Sequence, residues 1–136
     1  MKEFEDYFSD ILSDMVHLVL EYCGISVEKI FIHCSNEGNC ISSNVFFQKD
    51  GKKIKRSQLS EISELEQKQI IYSINEKILS LRELCVDNKK EVPTEIKLIY
   101  EIKTKHLISD FCYENLYSES ETLIVQNIFD KWFESI

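Results

Sequence analysis

The stretch PTEIKLIYEIKTKHLISDFCY, residues 93–113, decides the fold of this chain. Ile96, Leu98, Tyr100 and Ile102 alternate there with Lys97, Glu101 and Lys103, and only Ile99 breaks the order. A period of two belongs to a strand, whose successive side chains point to opposite faces of a sheet. Thr104-Lys105-His106 turns the chain back, and Leu107, Ser109, Phe111 and Tyr113 continue the alternation. The stretch predicts two antiparallel strands with an apolar face that something else in the chain must cover.

Upstream, residues 87–94 read as loop, and a helical period runs from about Leu65 to Val86 through Ile70, Ile71, Ile74, Ile78, Leu81 and Cys85. Before it, Ile30, Ile32 and Cys34 alternate with Phe31 and His33, which predicts a strand. Ser35-Asn36-Glu37-Gly38-Asn39 reads as a turn into a second alternating run, Ile41 through Val45 and Phe47. Asp50-Gly51, a pair that tolerates positive φ, leads to a short basic strand around Ile54. The N-terminal segment places Phe4, Tyr7, Phe8, Ile11, Leu12, Met15, Leu18, Val19 and Tyr22 on one helical stripe that Gly24 ends. Downstream, a last helix from about Thr122 carries Ile124, Ile128, Trp132 and Ile136 on one face. The expected order is αβββαββα, a two-layer α+β domain with about five antiparallel strands and helices packed on one face of the sheet.

One domain over residues 1–136 is expected, since cores split only well above roughly 200 residues. Apolar residues make up 43% and charged residues 29%, the balance of a soluble globular chain. A net charge of −8 opposes binding to phosphate backbones, so direct contact with nucleic acid is not expected. The N-terminus lacks the basic and apolar regions of a signal peptide, and no run approaches the length of a membrane helix. Five cysteines cannot all pair, so reduced, individually buried thiols in the cytoplasm are expected.

No nucleophile-elbow, zinc-protease, phosphate-loop or dinucleotide motif occurs, and His17, His33 and His106 have no local catalytic partner. Cys34, Cys40 and Cys112 with His33 make a poor metal set, because alternation sends Cys34 and His33 to opposite faces. Neither an enzyme, a metal nor a cofactor is expected. The charge is unevenly spread: residues 1–21 and 110–136 each sum to −5, whereas residues 49–56 sum to +4. Such concentrations keep a protein soluble, or they form an electrostatic surface for a cationic partner. For the second role the candidates are Asp110, Glu114, Glu119 and Glu121 with Tyr117, at the junction of the fifth strand and the last helix. The first helix offers Glu3, Asp6, Asp10 and Asp14, on a flatter surface.

The chain resembles the YezG-like immunity proteins, antitoxins of bacterial polymorphic toxin systems. Lys29 to Ser35 with Glu37-Gly38, Val45-Phe46-Phe47, Pro93 to Tyr100 and Leu107 to Leu116 carry the resemblance, within residues 28–117. It implies a cytoplasmic protein that binds and neutralises a cognate toxin, often a nuclease. Since nucleases hold phosphates in cationic clefts, an acidic surface could steer onto such a cleft and occlude it. The alternative of similar size, charge and element order is a type III secretion chaperone, which binds an effector segment as a homodimer.

Overall fold

Helix α1, Phe4–Cys23, begins where the Glu3 backbone N–H donates to Asp6 Oδ2 at 3.1 Å. It buries Leu12, Met15, Val16, Val19 and Cys23, and stops at Gly24, whose φ of 54° an L side chain rarely adopts. The computed structural model describes residues 3–38, 40–120 and 122–136. Helix α2, Glu64–Asp87, opens on a reciprocal cap: the Glu66 N–H donates to Ser63 Oγ and the Ser63 N–H to Glu66 Oε1. Its buried side is Ile70, Ile74, Ile78, Leu81 and Cys85.

The strands are β1 Lys29–Glu37, β2 Cys40–Lys49, β3 Lys52–Lys55, β4 Glu95–Glu101 and β5 His106–Cys112. They form one antiparallel sheet in the order β3-β2-β1-β4-β5, with β1 at its centre. The β2–β3 turn places Asp50 at φ 53° and Gly51 at φ 75°, the two positive angles that a tight hairpin requires. The α+β architecture and the element order agree with the sequence reading. One boundary differs: β1 continues through Asn36 and Glu37, pairing Glu37 with Cys40, where the sequence suggested a turn from Ser35.

The larger difference concerns the last helix, α3, Val125–Ser135. Helices α1 and α2 cover one face of the sheet over Ile30, Ile32, Cys34, Val45, Phe47, Ile96 and Leu98. Helix α3 lies on the other face, where Phe129 and Trp132 join Phe31 and Phe46 in a separate apolar cluster. There the Phe31 and Phe46 rings stack at 4.3 Å, and Trp132 meets Phe46 edge-on at 5.1 Å. Central strand β1 is therefore buried on both faces, which explains the unbroken sequence Ile30-Phe31-Ile32-His33-Cys34. The inward side of α3 is Val125, Phe129, Trp132 and Phe133, whereas Ile124 and Ile136 are exposed. Lys53 Nζ donates to the carbonyls of Phe133, Glu134 and Ile136, so one residue of the basic block caps the C-terminal end of α3.

Burial of the thiols is less uniform than the sequence suggests. Cys23, Cys34 and Cys85 are buried, Cys112 is half-buried, and Cys40 at the open end of β2 is exposed. Burial pushes the Cys34 thiol up to about 12 and Cys23 to about 11, which suppresses the reactive thiolate. In thiol titration Cys40 should react first and Cys112 next. Cys23, Cys34 and Cys85 should wait for unfolding, and all five should react in denaturant without reductant. Fast labelling of Cys34 in the folded protein would contradict this order.

Candidate functional site

Residues 113–124 connect β5 to α3 across the open end of the sheet. A segment this polar would wander on a surface unless its backbone groups were held. Here they are held by Glu37, the last residue of β1, which is 2% exposed. The Leu116 N–H donates to Glu37 Oε2 at 2.8 Å, and the Ser118 and Tyr117 N–H groups donate to Oε1 at 3.0 and 3.2 Å. Burial by itself raises the Glu37 carboxyl. The hydrogen bonds from Ser118, Leu116 and Tyr117 outweigh it and hold the group below the usual carboxylate range.

Two further ties fix the same connection. Ser35 Oγ and the Tyr117 hydroxyl are hydrogen-bonded at 2.8 Å, and Thr94 Oγ1 donates to the carbonyls of Glu114 at 2.6 Å and Cys112 at 3.0 Å. Behind them, on the α3 face, His33 Nε2 and Glu95 Oε2 are 2.9 Å apart and both residues are buried. The Phe129 and Trp132 rings lie 6.0 and 5.9 Å from the His33 ring. Lys97 Nζ stands 3.9 Å from Glu95 Oε1 and 5.6 Å from the Trp132 ring centroid.

Of the residues singled out by sequence, Asp110 is exposed near the end of β5, and Glu114 and Glu119 are exposed on the connection. All three belong to the same end of the sheet. Glu119 Oε1 also accepts from Asn115 Nδ2 at 3.3 Å. Glu121 lies outside the described residues. Tyr117 is half-buried, and its hydroxyl serves the fold through Ser35. Glu37, Ser35 and Thr94 were not singled out, because the residues they hold are 18 to 82 positions distant.

Beside β5, on the opposite face of the sheet, a groove of about 410 Å³ is lined by Phe4, Phe8, Leu12, Phe111 and Tyr113. Glu5 and Glu91 also line it, and Lys90 Nζ lies 5.7 Å from the Phe4 ring centroid. Among the described residues, no three His, Cys, Asp or Glu side chains are grouped to hold a metal ion. Cys34 Sγ turns to Met15 Sδ at 3.8 Å, inside the α1 face. His33 is enclosed by α3 next to a space of about 30 Å³, room for about one water and too small for a substrate. No helix among the described residues is long and apolar enough to cross a membrane. Comparison with protein families finds no matching family model, and comparison with curated proteins finds no match.

Proposed function

We propose that this protein is a YezG-like immunity protein that neutralises a cognate bacterial toxin in the cytoplasm by binding rather than by catalysis. The observation that carries the reading is the placement of Glu114 and Glu119 on a connection that buried Glu37 fastens to the sheet, next to Asp110 near the end of β5. Charges held on a rigid frame accelerate encounter with a cationic surface without a large ordering cost on binding. A nuclease cleft fits that description because it must attract phosphates. The groove between α1 and β5, on the opposite face of the sheet, adds a second surface that includes the aromatic rings of Phe111 and Tyr113.

The test uses the product of the neighbouring gene, which under this reading is the toxin. Glu114→Lys with Glu119→Lys should slow its association at low salt at least ~10-fold and flatten the salt dependence of the rate. The control is Glu21→Lys with Glu134→Lys, an equal change of charge on exposed positions elsewhere. Asp6 and Asp14 on α1 make poor controls, since Asp6 accepts from the Glu3 N–H and Asp14 pairs with Lys77 at 3.5 Å. Equal slowing by both variants would remove the junction from the interface. Failure of the neighbouring product to bind at all would remove the immunity reading.

The same groove, lying beside edge strand β5, favours one alternative, a secretion chaperone that holds an extended effector segment. A neighbour that is a secreted effector, and that remains active when bound, would decide for it.

A further inference from the structure

Leu65, Tyr72, Leu79 and Val86 occur every seventh residue along α2, and they are 67, 67, 42 and 62% exposed. Seven residues fall only ~20° short of two helical turns, so the four side chains form a single line about 31 Å long. The buried side, Ile70, Ile74, Ile78, Leu81 and Cys85, lies diametrically opposite. Helix α2 thus carries a second apolar line that nothing within the described domain covers. Scattered apolar residues on a surface need no explanation, but an aligned series of four marks a contact.

The flanks of the line carry opposite charge. Lys68, Asn75 and Arg82 run along one side, and Gln69, Glu76 and Glu83 along the other. The acidic flank faces α1, since Gln69 Oε1 accepts from the Tyr22 hydroxyl at 3.4 Å and Lys77 pairs with Asp14. Exposed Asp10, Asp14 and Glu21 on α1 extend it. The basic flank faces β2, since Asn75 Oδ1 accepts from Ser43 Oγ at 2.7 Å. Beyond β2 lies β3, whose Lys52 is exposed, while Lys53 and Lys55 turn to the Phe133 ring on the α3 face.

We propose that this line is the seam of a homodimer, in which two copies of α2 run parallel about a twofold axis along the helices. In a parallel pair each flank meets the opposite flank of the other copy. The twofold axis keeps the helices in register, so Arg82 lies level with Glu83 of the second copy, Asn75 with Glu76 and Lys68 with Gln69. An antiparallel pair would set like flanks against each other, so the charge pattern selects the parallel one. The seam has a single apolar residue per heptad, which places it at the small end of specific interfaces. A dissociation constant of roughly 1–100 μM follows. The dimer depends on α2 alone and holds whichever partner the acidic junction takes.

Sedimentation equilibrium of the full chain from 5 to 500 μM (a range of about two decades around the expected constant) reads the proposal directly. The mass should rise from 16.1 kDa toward twice that value. Leu79→Lys should weaken association more than ~10-fold with an unchanged circular dichroism spectrum, as should Tyr72→Lys, because both positions are exposed in the monomer. Arg82→Glu should weaken it by about the same factor, and adding Glu83→Lys should restore it to within ~3-fold. A 16.1 kDa species at the highest concentration would overturn the proposal. A dimer indifferent to Leu79→Lys and Tyr72→Lys would do the same. Loss of affinity on Arg82→Glu without restoration by Glu83→Lys would overturn the parallel arrangement.

Discussion

His33→Ala should lower the unfolding free energy by about 3–5 kcal/mol, a loss visible as a fall of roughly 1–3 M in the urea midpoint. The size follows from what the substitution leaves behind. Glu95 is 8% exposed and its Oε2 meets His33 Nε2 at 2.9 Å, while its nearest cation, Lys97, stands 3.9 Å away. The two side chains share one hydrogen bond, whose donor and acceptor follow the His33 tautomer. Without the imidazole the buried Glu95 carboxyl loses its closest hydrogen-bond partner. Phe129 and Trp132 lose the ring they lean on, and α3 loses part of its seat on β1. Replacing both partners, His33→Leu with Glu95→Leu, should recover most of the loss, since a buried pair exchanged for apolar side chains of similar size is often neutral. If the double variant is as unstable as His33→Ala, packing rather than the orphaned carboxylate sets the cost. If His33→Ala costs under about 1 kcal/mol, the pair is solvated and its burial is wrong.

The same pair marks the limit of what could be read without the structure. The β4–β5 alternation, the stripes of α1 and α2 and the Asp50-Gly51 turn are short-range signals, and each one produced its element. The two-sided burial of the sheet was hidden because the α3 face is lined by His33, Ser35, Glu37 and Glu95 as well as by Phe31 and Phe46. Polar residues alternating with apolar ones read as a solvated face, and their actual partners are far away in sequence. Glu95 lies 62 residues from His33, and Tyr117 lies 82 from Ser35. The inward side of α3 was misplaced for a related reason. Trp132 belongs both to the line Ile124, Ile128, Ile136 and to the line Val125, Phe129, and an 11-residue helix has too few turns to separate them. The acids of the junction could be found by composition. The residue that fastens them could not, since Glu37 before Gly38 resembles ordinary turn chemistry.

Glu37→Ala should cost about 2–3 kcal/mol and act chiefly on residues 115–120 rather than on the whole domain. Three backbone N–H groups share this carboxylate, and bonds to a charged acceptor contribute more than neutral ones. Once freed, the connection lies near the surface and its N–H groups recover part of that loss from water. Amide exchange of Leu116, Tyr117 and Ser118 should therefore accelerate by at least ~10-fold while β1 and β4 stay protected. Acid should have the same effect on the unaltered chain. Because the folded Glu37 carboxyl is held below its ordinary value of about 4.3, its contribution is complete at neutral pH. It is lost as pH falls through the lower folded value. The variant Glu37→Gln keeps an acceptor but no charge, so its exchange rates should lie between those of the other two and lose this pH dependence. Toxin binding links this local lock to function: Glu37→Ala leaves Asp110, Glu114 and Glu119 in the sequence and removes the clasp on the connection that carries Glu119. Under the immunity reading it should weaken the complex mainly through faster dissociation, since the steering charges remain. A variant with mobile residues 115–120 and undiminished affinity would show that the junction's order is irrelevant to binding.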